Sequence, residues 1–254
     1  MSKIVITGSA SGIGREVAKK LSDSGHEIIS IDLRDADIIA DLSTSEGRQK
    51  AIADTLEKTG SGIDILITAA GMGGHLADGK LVMIVNYFGT VELLDGFFPA
   101  MKGRAGAAAL ALSSNSAQMG VDPENELVKA LLAHDEQAAI DVVGDMPSAA
   151  TYGLSKHAVA RAVRRRAHEW GTAGVRLNAI APGMTETPML QGVRDNPDLK
   201  GALENIPVPL DRTANVDEIA NIIVMMVSEA FSFMHGSVLY VDGGTDAVVR
   251  PDQF

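Results

Sequence analysis

Cysteine is absent from the 254 residues. Disulfides, thiolate-bound metals and cysteine nucleophiles are therefore excluded. Aromatic side chains make up only 4%, so the core must be built from Ala, Val, Ile, Leu and Met. Positive charge is also short. Against 33 Asp and Glu stand 22 Lys and Arg, for a net charge of −11. Such a surface repels phosphate backbones and anionic lipid, so neither a nucleic-acid nor a membrane partner is expected. No uninterrupted apolar stretch reaches the roughly 18 residues a membrane span needs. The opening Met1–Gly8 run is too short for a signal peptide. A cytoplasmic protein is the expectation. His26, His75, His134, His157, His168 and His235 show no ligand spacing, so no metal site is expected. No linker, repeat or low-complexity tract divides the chain, which reads as one domain over 1–254.

Short β-branched runs alternate with longer amphipathic stretches. Strands are predicted at Ile4–Ile6, Ile28–Ile31, Ile63–Ile67, Ala107–Leu112, Val175–Ile180 and Val238–Val241. Helices are predicted at Gly14–Ser24, Ser45–Lys58, Asn86–Met101, Tyr152–Gly171 and Val216–Val227. This alternation predicts an α/β fold, a doubly wound parallel sheet of Rossmann type. Two segments break the pattern. In 118–150, Asp122-Pro123 reads as an N-cap and first helical proline ahead of Leu127, Leu131 and Leu132, with a second helix from about Asp135 to Val143. In 184–212, four prolines suggest a long loop with a short helix that lids a pocket.

Gly8, Gly12 and Gly14 fall between the first strand and first helix, as Thr-Gly-x-x-x-Gly-x-Gly. Glycines there let a backbone approach a pyrophosphate at a helix N-terminus. Asp32 ends the second strand, where a carboxylate accepts from ribose hydroxyls and repels a 2′-phosphate. NAD is expected over NADP, although Arg34 stands two residues on. Asp41-Leu42 sits where a carboxylate could meet an adenine amino group. Thr68-Ala69-Ala70-Gly71 closes a later strand with small residues.

Tyr152 and Lys156 are four apart and share a helix face. An ammonium near a phenol favours the phenolate, which makes tyrosine usable as an acid–base group. Ser113-Ser114 follows a strand, Asn86 is read as opening a helix, and Asn178 to Gly183 ends another strand. Ligand sites in doubly wound sheets lie at such ends.

Together these motifs resemble the short-chain dehydrogenase/reductase family of the classical type, from Thr7 to Asp242-Gly243-Gly244. The resemblance implies a hydride moved between nicotinamide and a carbonyl or alcohol carbon. It implies Tyr152 as acid–base, Ser114 as hydrogen-bond donor to the substrate oxygen, Lys156 as the group that lowers the tyrosine pKa and holds the nicotinamide ribose, and Asn86 as support for a water relay. The implied cofactor wall is Thr7, Gly8, Ser11, Gly12, Ile13, Gly14, Asp32, Leu33, Asp41, Leu42, Ala70, Gly71, Tyr152, Lys156, Pro182, Gly183, Thr185 and Thr187. The two threonines would meet the carboxamide. Met184, Met189 and Leu190 join Ser114 as the expected substrate pocket.

Two departures stand out. Thr68-Ala69-Ala70-Gly71 replaces the family's Asn-Asn-Ala-Gly, and Ser114 and Tyr152 lie 38 positions apart, well beyond the family's usual gap. That insertion, with Ile31–Ala36, Ala40–Thr44, Val85–Gly89 and the tail from Asp246-Ala247 to Arg250–Phe254, is similar to the branch of bacterial 3α-hydroxysteroid dehydrogenases/carbonyl reductases. The resemblance implies a small apolar alcohol or ketone as substrate, steroid-sized, and a homodimer in place of the usual tetramer. Aryl or cyclic non-steroid ketones are the alternative substrates. A non-catalytic NAD-binding sensor is the alternative of another kind.

Overall fold

The computed structural model describes residues 1–60 and 62–253; Phe254, the last residue of the tail pattern, lies outside them. Among the described residues seven strands form one sheet: β1 Lys3–Thr7, β2 Glu27–Asp32, β3 Ile38–Ile39, β4 Ile65–Thr68, β5 Ala108–Leu112, β6 Arg176–Pro182 and β7 Val238–Val241. Their order is β3-β2-β1-β4-β5-β6-β7, and every pairing is parallel. The doubly wound sheet is thus as expected. The two-residue edge strand β3 is an addition, too short to show a period of two.

The helices are α1 Gly12–Asp23, α2 Ser45–Thr59, α3 Gly79–Met83, α4 Gly89–Met101, α5 Glu126–Leu132, α6 Glu136–Val143, α7 Ser148–Thr172, α8 Pro188–Asp195, α9 Pro197–Glu204, α10 Val216–Val227 and α11 Thr245–Val249. Strand alternation divides the core in two. Val5, Ile29, Ile31, Leu66, Ala109 and Leu177 belong to the layer under α2, α4 and α7. Ile4, Ile6, Ile65, Ile67, Leu110 and Ile180 belong to the layer under α1 and α10. Both faces are buried, hence the nearly continuous apolar strands.

Beyond shifts of one or two residues at several element ends, the following differ from expectation. Asn86 does not open a helix. Helix starts at Gly79, and Asn86 lies in a π-turn, Ile84–Phe88, between α3 and α4. The capping signal is Asp78, which accepts from Leu81 N. Asp122-Pro123 does not start the insertion helix either. Asp122 closes a local turn on Glu124 N, and Asn125 caps α5. The helix carrying Tyr152 begins at Ser148, and the 184–212 loop holds two helices. Finally, Gly79–Met101 is continuous, apolar and long enough to cross a membrane, but most of it is buried inside the fold.

The insertion is fastened by charge. Arg48 on α2 is 1% exposed. It donates to Glu92 on α4 at 2.8 Å, to Glu136 on α6 at 2.5 Å and to the Leu42 carbonyl at 3.3 Å, with its guanidinium over the Phe88 ring. From α7, Arg161 reaches the Pro123 carbonyl and Arg165 the Leu132 carbonyl. Arg166 is paired with Asp95, so Arg161, Arg165 and Arg166 all tether this helix to its neighbours. Trp170 stacks on Phe98 at 4.4 Å, which packs the end of α7 against α4.

Removing a buried cation from two carboxylates leaves them facing each other. We expect Arg48→Ala to cost about 3 kcal/mol, read by urea denaturation. A loss below about 0.5 kcal/mol would mean that the carboxylates are solvated as if at a surface.

Candidate active site

The order of the sheet reverses between β1 and β4, and the loops at their C-terminal ends part to form a cleft. The cleft holds about 600 Å³. One wall is the glycine turn into α1. Gly8 has φ +70°, and a β-carbon there would lie 2.6 Å from Ala70 N, so the turn packs directly on the end of β4. A β-carbon on Gly14 would collide with the Gly8 carbonyl. Helix α1 has no side-chain cap and no acidic residue in its first turn. Its free amides face the cleft through Gly12, Ile13 and Gly14, which suits an anion.

Asp32 stands at the end of β2. Its two carboxylate oxygens accept from Ala10 N at 2.9 Å and Leu33 N at 2.7 Å. Leu33, Asp41 and Leu42 continue that wall, whereas Arg34 is exposed and outside it. Opposite run Ala70, Gly71, Pro182, Gly183, Thr185 and Thr187. Thr185 is buried and donates to the Gly183 carbonyl, and Thr187 caps α8 by accepting from Leu190 N.

Thr7 and Asn86 do not reach the cleft surface. Both are fully buried behind it. Thr7 Oγ1 accepts from Ala70 N at 3.0 Å, which supplies a support that the alanines of 68–71 cannot. Asn86 brackets Met72, accepting from its N–H at 2.8 Å and donating to its carbonyl at 3.0 Å. The π-turn aims it there.

Ser114, Tyr152 and Lys156 converge on the opposite end of the cleft. Ser113 Oγ donates to the Lys156 carbonyl at 2.8 Å, which locks β5 to α7. Lys156 Nζ donates to the Leu112 carbonyl at 2.9 Å, and a β-carbon on Gly71 would lie 3.4 Å from the ammonium. Burial lowers the lysine pKa to about 8. Burial also raises the Tyr152 pKa, opposed by a hydrogen bond with Ser114. The expected lowering by Lys156 is not found in this arrangement, where the ammonium faces the Leu112 carbonyl.

The substrate end of the cleft is larger than expected. Met184, Met189 and Leu190 line it, joined by Leu81 of α3, Val85 of the π-turn, Ala149 of α7, and Leu199, Leu203 and Ile206 from α9 and the turn after it. The sequence signal for the last three is their i, i+4, i+7 spacing inside a proline-bounded segment. Apart from Lys156, the charged residues of the lining are Asp32 and Asp41, both at the other end.

The family model described as short chain dehydrogenase matches residues 2–124, and one described as enoyl-(acyl carrier protein) reductase matches 137–246. The interval between them contains α5. Over 258 aligned positions, spanning all of both chains, the sequence is 46% identical to the 3-alpha-hydroxysteroid dehydrogenase/carbonyl reductase of Comamonas testosteroni. This chain belongs to the short-chain dehydrogenase/reductase family. It is an oxidoreductase. A crystal structure of the 3-alpha-hydroxysteroid dehydrogenase from Pseudomonas sp. B-0831 complexed with NADH matches this short-chain dehydrogenase/reductase with TM-score 0.97 and 41% identity, over the whole of both chains. A more distant relative, the cis-4-hydroxycyclohexanecarboxylate dehydrogenase of Sinomonas cyclohexanicum, is 27% identical and covers 96% of each chain.

The lysine makes the site costly to fold. Its pKa falls from 10.5 to about 8, equivalent to about 3 kcal/mol at neutral pH. Below pH 8 both folded and unfolded chains hold the proton, and the cost is constant. Between pH 8 and 10.5 only the unfolded chain holds it, so stability rises with pH. We expect Lys156→Met to be more stable than the parent at pH 7 by about 1–3 kcal/mol, with the gap closing by pH 10. Urea unfolding at both pH values measures it. A variant no more stable at pH 7 would show that the buried ammonium carries no such cost.

Proposed function

We propose that this chain interconverts a secondary alcohol and a ketone with NAD(H) as hydride carrier, and that its substrate is a 3α-hydroxysteroid or a ketone of similar fused-ring bulk. The observation that carries this reading is one cleft joining Ser114, Tyr152 and Lys156 to an uncharged apolar end. The names of the two full-length relatives point the same way.

The residues present fit a dinucleotide. The open N-terminus of α1 would hold the pyrophosphate, Asp32 the adenosine ribose, and Lys156 and Thr187 the nicotinamide end. When bound, the nicotinamide supplies or accepts the hydride. Asp32 repels a 2′-phosphate, and Arg34 lies outside the cleft lining, which supports NAD over NADP.

Ser114 hydrogen-bonds the substrate oxygen and Tyr152 exchanges the proton with it. In reduction Tyr152 gives its phenolic proton to the carbonyl oxygen. Its raised pKa keeps that proton in place throughout the neutral range. In oxidation the phenolate removes the hydroxyl proton, so oxidation is favoured as pH rises. Asn86 holds the Met72 peptide against the cleft wall, where a water relay would need a fixed carbonyl.

The exposed apolar residues Met225, Phe233, Val248 and Val249 support a dimer built on the β7 side. Helix α5 lies against α7, which supports loss of a second interface there. Light scattering at the mass of four chains would overturn the dimer.

The test is reduction of NAD and of NADP by a 3α-hydroxysteroid, with variants as controls. We expect NAD-dependent turnover, a fall of about 10²–10⁴-fold in Tyr152→Phe and of about 10²–10³-fold in Ser114→Ala, with NADH still bound. NADH binding without turnover of the steroid would leave the second reading. There a cyclic non-steroid alcohol is the substrate, as the name of the Sinomonas relative suggests. Absence of any turnover, unaffected by Tyr152→Phe, would favour a sensor.

A further inference from the structure

His75 lies in the loop between β4 and α3, and neither the catalytic constellation nor the cofactor wall uses it. Its imidazole is wedged between two glycines from different elements. A β-carbon on Gly73 would fall 2.6 Å from His75 Nδ1 and 2.8 Å from Met189 Cγ. A β-carbon on Gly192, in the middle of α8, would fall 2.7 Å from His75 Cδ2 and press on Nε2. Both glycines are thus needed for the ring to occupy its slot. The same residue also holds the end of α8. Asn196, its C-cap, donates to the His75 carbonyl at 3.2 Å.

The ring Nδ1 is buried without a hydrogen-bond partner. No polar contact at that atom fixes the ring, so its fit between the glycines does. The opposite side of α8 is tied differently, by Arg194 to Glu186 at 2.7 and 2.6 Å and through Glu186 to Thr213. The His75 side joins α8 to the loop that carries Gly71 and Met72 along the cleft wall, where Met189 also approaches Gly73.

The geometry assigns His75 as the positioning residue that seats α8 over the substrate end of the cleft. Through α8 it sets the place of Met189, Leu190 and Val193, and with them the width offered to a bulky substrate. The seat is made by the packing of the ring and by the Asn196 hydrogen bond to the His75 carbonyl. Its consequence for substrate choice rests on the ketone reading above.

Three variants test it: His75→Ala, Gly192→Ala and the double variant. In His75→Ala the wedge is gone, and amides of peptide 188–196 exchange faster with deuterium, with NADH bound or absent. The KM for a fused-ring ketone rises about tenfold, while kcat, NADH binding and the KM for cyclohexanone stay near parental values. Gly192→Ala has the same effects in the parent. In the His75→Ala background its methyl enters vacated space, so it adds nothing. Unchanged exchange at α8 in His75→Ala overturns the assignment, as do fully additive effects in the double variant. If the parent reduces no fused-ring ketone, the substrate proposal falls. The exchange measurement then still decides the role of His75, since it needs no turnover.

Discussion

The site is organised around a cation kept out of water. Lys156 is 4% exposed, and its recorded donor contact is the Leu112 carbonyl. An ammonium in such a place keeps unmet donor capacity, and burial holds its pKa near 8. Every neighbour contributes to keeping it there. Gly71 leaves the space beside Nζ open, Ser113 clamps the lysine main chain, and Asn86 holds the next peptide of the loop. Ribose hydroxyl oxygens arriving in that space would accept from its remaining N–H groups. The instability of the free site is therefore the same property as its readiness to bind.

That burial needs α7 close to the sheet, and the scarcity of large side chains allows it. β5 reads Ala108-Ala109-Leu110-Ala111-Leu112 and is buried throughout. Helix α7 buries Ala158 and Ala162 in the same core layer as Ala109 and Ala111. Small residues on both partners bring the backbones together, so a four-carbon lysine stem can reach a strand carbonyl. The low aromatic content noted at the outset is thus part of the site's architecture. The buried aromatics Tyr87, Phe88, Phe97, Phe98 and Trp170 pack in that same layer.

What was legible in the sequence is what repeats or is punctuated by glycine. The parallel sheet follows from apolar runs that alternate with helical stretches, and the cleft from glycines and small residues at strand ends. β3 is too short to carry a pattern. The true start of the helix holding Asn86 is signalled by the Asp78 cap, but Gly79 behind it argues locally against helix and masks that signal. Leu81 and Val85 enter the pocket through tertiary placement, and the helical spacing of Leu199 and Leu203 marks an apolar face without telling that it meets the cleft. His75 is invisible for the same reason. Gly73 is two residues away, but Gly192 is distant in sequence and reaches the ring only when α8 folds across the cleft. The tyrosine's environment also lay beyond sequence reasoning, because an i, i+4 spacing shows that Lys156 is near and not where its ammonium points.

Asp32 shows how closely cofactor choice is bound to the fold. A carboxylate at that strand end is readable as an NAD signal, and its charge would act on a 2′-phosphate. Yet both of its oxygens already accept main-chain N–H groups, one of them from Ala10 within the glycine turn. An oxygen with two lone pairs can serve a backbone amide and a ribose hydroxyl together. Removing the carboxylate therefore does two things at once. It lifts the repulsion toward a phosphate, and it strips an acceptor from the turn that presents the free amides of α1. A change of preference toward NADP at this position has to replace the acceptor as well as the charge, since a turn that has lost its tether no longer offers the pyrophosphate a fixed row of donors.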